Sequence, residues 1–330
     1  MQAFTLTAPD TLAAALSAGI APRTRYIAGG TDLLQLAQDD VEQPTQLVDL
    51  ARLLPSAITI ERDPLRIGAL RIGALATMAD VADAPLVRQG WPAISEALLL
   101  SASPQIRNMG TAGGNLLQRT RCGYFRDTGF GCNKRVPGSG CPAIGGDNRG
   151  LGVIGVSGSC IATHPSDLPV ALMAMDAVLE LLGPTGGRRT VPLAEFYRLP
   201  GTTPHLENNL LPGEAIVAII VPADAAALRS RYVKVRDRTE FAFAVVSAAV
   251  ALDVQNGVVR DVRVALGGVG PKPWRLPLVE AALHGRPATL ANFEAAAALA
   301  SAGTTPASRN AHKVTLMQRL TLRGLQLAAA

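Results

Sequence analysis

The sequence predicts an α+β protein in two parts, on three observations. The first 60 residues alternate strand-like and helix-like stretches around a glycine loop. Residues 61–222 repeat that mixture and end on the apolar strand "EAIVAIIVP". From residue 229 the pattern becomes long apolar alternations broken by Asn256-Gly257, a hairpin-turn dipeptide, and then helical spacing.

In chain order, "APDTLAAALSAG" reads as a helix, "TRYIA" as a strand, "GGTD" as a loop, "LLQLAQDD" as a helix and "TQLVDL" as a strand. "LRIGALRIGALATMADVADAPLV" gives short strands and then a helix, and "ISEALLLSAS" a further helix. Ser166 and Asp167 stand where N-caps belong, ahead of an apolar stretch "LPVALMAMDAVLELLG" read as helix, with Pro169 tolerable in the first turn. Beyond the hairpin, "LVEAALHG", "ATLANFEAAAALASAG" and "AHKVTLMQRLTLRGLQLA" carry helical spacing that suits packing onto a sheet.

With 330 residues and 48% hydrophobic content, the chain can build two or three domains and is not disordered. No apolar run reaches the roughly 18 to 20 residues of a membrane span. The N-terminal stretch lacks the basic start and apolar centre of a signal peptide, so no export signal is expected in this chain. The net charge is +5, but the basic residues are scattered and aromatics make up 4%, which argues against a nucleic-acid partner. Residues 119–149 are locally basic, with Arg119, Arg121, Arg126, Lys134, Arg135 and Arg149 against Asp127 and Asp147. A charged cofactor, an acidic partner or a solvated loop would each account for that excess.

Two glycine loops echo each other, "AGGTDLL" at 28–34 and "AGGNLL" at 112–117. In the first, a strand leads into two glycines, which permit positive φ and close backbone approach, and a short polar residue starts a helix with its free N–H groups outward. The second reads alike, with Asn115 in the capping role. Ordinary strand-to-helix turns would look the same one at a time, but a matched pair could clasp a pyrophosphate from two sides, as FAD requires. "GLGVIG" at 150–155 fits G-x-G-x-x-G but has neither a preceding strand nor a following helix, and is read as a chance match.

Cys122, Cys132, Cys141 and Cys160 fall within 39 residues, among Gly123, Gly129, Gly131, Gly138 and Gly140. Their spacing matches neither zinc ribbons nor ferredoxin runs. Three readings stand: a [4Fe-4S] cluster, whose negative charge suits the basic surroundings; zinc, with His164 as an alternative ligand; and free or disulfide-bonded cysteines. His164, His205, His284 and His312 are dispersed, and no catalytic triad or acid/base pair is suggested. Tyr26, beside the first loop, is read as core packing rather than a flavin-stacking ring.

The motifs "IAGGTDLL", "TAGGN", "HPSDLPVALMAMDA" and "KVRDRTEFAFAVVSAAVAL", in that order, resemble the FAD-binding medium subunits of molybdenum hydroxylases, the xanthine dehydrogenase, carbon monoxide dehydrogenase and aldehyde oxidoreductase group. The cysteine-rich insertion is similar to that of the periplasmic aldehyde oxidoreductase medium subunits, which holds a [4Fe-4S] cluster. The resemblance implies a two-subdomain FAD-binding fold of the vanillyl-alcohol-oxidase type over 1–222, divided near residue 60, with the insertion at about 119–160. A small α+β domain with a three-stranded antiparallel sheet and helices would follow over 229–330. It implies FAD contacts from Ile27, Ala28, Gly29, Gly30, Thr31, Asp32, Leu33 and Leu34, from Thr111, Ala112, Gly113, Gly114 and Asn115, and from Asp167, Ile216 and Lys234, with Cys122, Cys132, Cys141 and Cys160 as cluster ligands. The implied partners are a large molybdenum-cofactor subunit and a small subunit with two [2Fe-2S] clusters, the chain passing electrons through FAD to an external acceptor. Other implied or competing assignments are the flavin subunit of a hydroxybenzoyl-CoA reductase type complex and a zinc-binding interaction subunit. The compartment is expected to be the periplasm, by co-export with a partner, or the cytoplasm.

Overall fold

The computed structural model describes every residue except Pro64 and Leu65, and every side chain outside 62–67. The predicted strands beginning at Leu65 therefore start outside the described residues. Among the described residues, three sheets organise the fold. The first is parallel, with β3 (Gln46–Asp49) between β1 (Thr5–Thr7) and β2 (Thr24–Ile27). The helices Leu12–Ala18 and Leu33–Gln38 make its crossovers, and Thr11 caps the earlier one by accepting from the Ala14 N–H. β1 has no counterpart in the sequence reading, because three half-exposed residues carry no periodic signal.

The second sheet is antiparallel, in the order β4 (Ile58–Asp63), β5 (Arg66–Gly73), β8 (Ala215–Pro222), β6 (Val178–Leu182) and β7 (Arg188–Pro192). The stretch expected to be one helix after Asp167 is helical only over Leu168–Ala174. Asp176 then adopts φ 50°, and the chain continues as β6. Seven helical and five strand residues are each too short a stretch of mostly apolar sequence to show their own period, so the left-handed residue marks the change. The helix is buried at all seven positions, packing against the helix Pro92–Leu99, where Ala93, Ile94, Ala97 and Leu98 are fully buried.

The C-terminal sheet has four antiparallel strands rather than the expected three. They are β9 (Arg231–Val235), β10 (Val246–Gln255), β11 (Val258–Gly267) and the two-residue β12 (Trp274–Arg275), which pairs with β11 at Ala265 and Leu266. A two-residue strand is too short to show alternation. Asn256 and Gly257 join β10 to β11 with φ 52° and 75°, as a two-residue hairpin turn demands. One face of this sheet carries Val246, Val250, Leu252, Val264 and Leu266 against the helices Pro277–Leu283, Leu290–Ala297 and His312–Ala329. The other presents the small Ala249 and Ala265 to the core shared with the helix Leu168–Ala174. That two-sided cover explains why the first seven residues of β10 are all buried, and it brings β9 up to the N-terminal domain.

Gly324 in the last helix lies where an added Cβ would meet Val250 Cγ2 at 2.7 Å. Gly324→Leu is expected to cost about 1–3 kcal/mol by overpacking, read as a lower thermal unfolding midpoint; an unchanged midpoint would show that this seam is loose.

Candidate functional site

The two glycine loops face each other across a cleft of about 1020 Å³. Ile27, Ala28, Gly29, Gly30, Thr31, Asp32 and Leu33 line it from one side, and Thr111, Gly114 and Asn115 from the other. A Cβ on Gly29 would stand 2.0 Å from the Met109 carbonyl oxygen, so Gly29 serves the packing of the first loop on the end of the helix that leads into the second. Gly30 supplies the positive φ, at 69°.

The loops are not equivalent as donors. Among the described residues, the N–H groups of Gly29, Gly30, Thr31, Asp32 and Leu33 reach no protein acceptor, leaving five consecutive donors beside the cleft. In the second loop Ala112 donates to Ala76, Gly113 to Ala74, Gly114 to Thr111 Oγ1 and Asn115 to the Thr111 carbonyl. The second loop therefore supplies shape rather than free donors, and its cap is Thr111, not Asn115. The segment before it is the helix Pro104–Met109, not a strand. Gly113 is spent on close approach to Ala74, whereas a Cβ on Gly114 would meet only Thr111 Oγ1, beside the cleft. Asn115 is buried, with Oδ1 unpartnered.

Asp167 and Lys234 meet deep in the cleft wall. Lys234 Nζ donates to Asp167 Oδ2 at 2.7 Å and to the Leu100 carbonyl at 3.0 Å. Ser101 donates to the same carboxylate at 2.7 Å, and Tyr232 donates to its other oxygen at 2.5 Å. Because these partners absorb the carboxylate, Asp167 caps its helix without a side-chain bond. Burial first, and then the Asp167 charge, push the Tyr232 hydroxyl far above the ordinary tyrosine value.

Four expected positions lie off this surface: Ile216 is buried in β8 opposite Leu181, Leu34 points outward from its helix at 38% exposure, and Ala112 and Gly113 are buried at the start of their helix. Tyr26 borders the cleft, but its hydroxyl donates to the Leu16 and Gly213 carbonyls, and burial pushes it up to about 12. The sequence reading omitted Ser101, Gln118, Glu207, Phe241 and Phe243, all of which line the cleft. Of these, the two phenylalanines stood inside the motif "KVRDRTEFAFAVVSAAVAL" and Ser101 inside the stretch "ISEALLLSAS" read as a helix.

The four cysteines are free thiols that line one narrow chamber, with Phe125, Lys134 and Ala162. Gly131 approaches the Ser139 carbonyl too closely for any side chain, and Gly138 and Gly140 take φ 86° and 91°. The Ala162 N–H donates to Cys160 Sγ at 3.5 Å, and the Phe125 N–H to the Cys122 carbonyl at 3.1 Å. Burial pushes the Cys122 thiol up to about 11, and burial likewise raises Cys160 against the opposing charge of Lys134. Among the described residues, no three His, Cys, Asp or Glu side chains converge as a single metal ion requires.

Much of the basic excess of this segment is taken up by protein acceptors, while Arg149 stays exposed beside Asp237. Arg121 and Arg126 bind Asp32 at 3.0 and 2.8 Å, Arg119 binds Glu42 and Glu207, and Lys134 binds Glu207 at 2.9 Å. Burial alone would raise the Glu207 carboxyl, but Arg119 and Lys134 overcome it and hold the group below the usual carboxylate range. "GLGVIG" is irregular in the structure, with neither strand nor helix beside it.

Comparison with known proteins places the chain first in a class. Residues 2–224 match the family described as the FAD binding domain in molybdopterin dehydrogenase, and residues 231–328 the CO dehydrogenase flavoprotein C-terminal domain. The chain belongs to the FAD-binding medium subunits of molybdenum hydroxylases. Within that family it is 49% identical over 284 residues to the aldehyde oxidoreductase FAD-binding subunit PaoB of Escherichia coli (strain K12), covering 86% of both chains. The carbon monoxide dehydrogenase medium chain of Hydrogenophaga pseudoflava is 29% identical over 296 residues, 89% of this chain and 84% of the relative. A solved structure of carbon monoxide dehydrogenase from Hydrogenophaga pseudoflava, lacking the Mo-pyranopterin moiety, superposes with TM-score 0.75 at 28% identity, covering 99% of this chain and 98% of that one. No helix among the described residues is long and apolar enough to cross a membrane.

His164 borders a cavity of about 30 Å³ between the cleft and the cysteine chamber, and burial pushes its pKa down to about 4. With a folded value near 4 and an unfolded value of about 6.5, the unfolded chain binds the proton first. Stability is then full above pH 6.5 and falls as pH drops toward 4, by about 3 kcal/mol for this group. Denaturant unfolding of His164→Gln is expected to show a shallower loss than wild type across pH 6.5–4; parallel curves would refute it.

Proposed function

We propose that this chain is the FAD and [4Fe-4S] electron-transfer subunit of a heterotrimeric molybdenum-containing hydroxylase acting on aldehydes, with a large molybdenum-cofactor subunit and a small [2Fe-2S] subunit as partners. Bound FAD supplies reversible one- and two-electron chemistry, which lets such a subunit pass electrons from iron-sulfur centres to an external acceptor. The carrying observation is the row of five unpaired N–H groups, Gly29 to Leu33, along the cleft. It fits the pyrophosphate of a dinucleotide, which needs several backbone donors at once.

The chain's own groups have separate tasks. Gly30 turns the donor loop, and Gly114 keeps the facing wall low. Lys234 brings a cation to the cleft while Asp167, Ser101 and Tyr232 fix its position. No acid/base pair is required of this subunit.

The cluster reading rests on the donor set. Four thiols around one chamber, the Ala162 N–H turned toward the Cys160 sulfur and Lys134 in the chamber wall suit an anionic four-iron group. The chamber is narrow, about 10 Å³, so the thiols must swing outward to admit such a group. Zinc has less support, since four thiolates at about 2.3 Å from one ion would have to converge on a point, and none of the described side chains do. The similarity to PaoB, named as an aldehyde oxidoreductase subunit, favours an aldehyde substrate for the complex.

Gly114→Val is expected to lower FAD content at least about tenfold with the far-ultraviolet circular dichroism unchanged, because a branched side chain beside Thr111 enters the cleft; full flavin in the folded variant would refute the assignment. Cys141→Ser should lose most of its iron yet still load one FAD when FAD is in excess, and full iron in the variant would exclude the four-cysteine assignment.

A further inference from the structure

We infer that Arg126, assisted by Arg121, is a positioning residue for the flavin, acting by holding the Asp32 carboxylate away from the donor loop. The inference rests on the reading that Gly29 to Leu33 bind the anionic part of FAD. Asp32 stands within that row, at the N-cap of the helix Leu33–Gln38. An aspartate there ordinarily folds back to accept from its own helix N–H groups, and a carboxylate doing so would repel an incoming phosphate and compete for the same donors.

In this chain Asp32 makes no such bond. One oxygen is held by Arg126 Nη2 at 2.8 Å and Arg121 Nη2 at 3.0 Å, and the other accepts from the Arg119 N–H at 2.9 Å. Arg126 is itself fixed, donating to the Thr120 and Arg119 carbonyls at 2.9 and 3.0 Å, and Phe125 packs beneath its guanidinium. All these partners lie 87–94 residues away in the cysteine-bearing segment. Arg126 ends the short helix that begins directly after Cys122. The arrangement offsets the Asp32 charge and keeps five donors open, so the cysteine segment sets the anion affinity of the loop through Asp32.

The test is a set of FAD dissociation constants on the full chain for wild type, Arg126→Met, Asp32→Ala and the double variant, with Gly30→Val as the control for the loop itself. Arg126→Met should weaken FAD on the order of tenfold by freeing the carboxylate. The double variant should recover to within about threefold of wild type, because the competing group is gone. A double variant as weak as Arg126→Met, or weaker, would reduce the clamp to a structural contact and overturn the inference. If Arg126→Met does not fold, Arg121→Met in its place, alone and with Asp32→Ala, decides by the same recovery. Unchanged affinity in Gly30→Val would instead overturn the loop reading, which separates the two failures.

Discussion

The carboxylate of Asp32 is the point on which both candidate sites depend. It sits in the donor loop, yet all its bonds go to Arg119, Arg121 and Arg126 of the cysteine segment. Glu42 and Glu207 extend the same lattice by taking Arg119 and Lys134. The segment is therefore fastened to the cleft by mostly shielded ion pairs, and Leu36, on the helix that follows the donor loop, joins Cys122, Cys132 and Cys160 in one apolar cluster. Pairs of this kind gain little if exposed, but side-chain exposures of 8–27% on the basic partners make their loss costly.

A second fastening joins the two domains. Lys234 on β9 and Asp167 at a helix start in the FAD-binding domain are almost wholly enclosed, with Tyr232 and Ser101 completing the carboxylate's bonds. Removing one member of such a pair leaves an uncompensated buried charge, at a cost of about 3–5 kcal/mol. The alanines on the inner face of the C-terminal sheet allow the close packing that brings Lys234 to Asp167. The cleft is thus a product of both domains, although only one carries the glycine loops.

Much of this was legible in the sequence where the signal is local. Asn256-Gly257, the first glycine loop, the clustered cysteines and the helix start at "HPSD" each depend on a few adjacent residues: the hairpin turn and the helix start fall at those residues, the first loop lines the cleft, and the four cysteines line one chamber. What stayed hidden is long-range. Nothing near Asp32 announces arginines some 90 residues on, and nothing near Glu207 marks it as the counter-ion of Lys134. The difference between the loops was also invisible, since "AGGTD" and "AGGNL" look alike until Ala74 and Ala76 take up the donors of the second. The β6 strand failed for a different reason, five residues following directly on a wholly buried helix being too short a stretch to show a change of period.

The central claim is that one chain holds FAD in the cleft and a four-iron cluster in the cysteine chamber. Flavin, iron, zinc and acid-labile sulfide per chain, measured on anaerobically purified protein, test it most directly. The account predicts one FAD with about four iron and four sulfide. One FAD with stoichiometric zinc, or with no metal, would contradict the cluster, and metal without flavin would contradict the account as a whole.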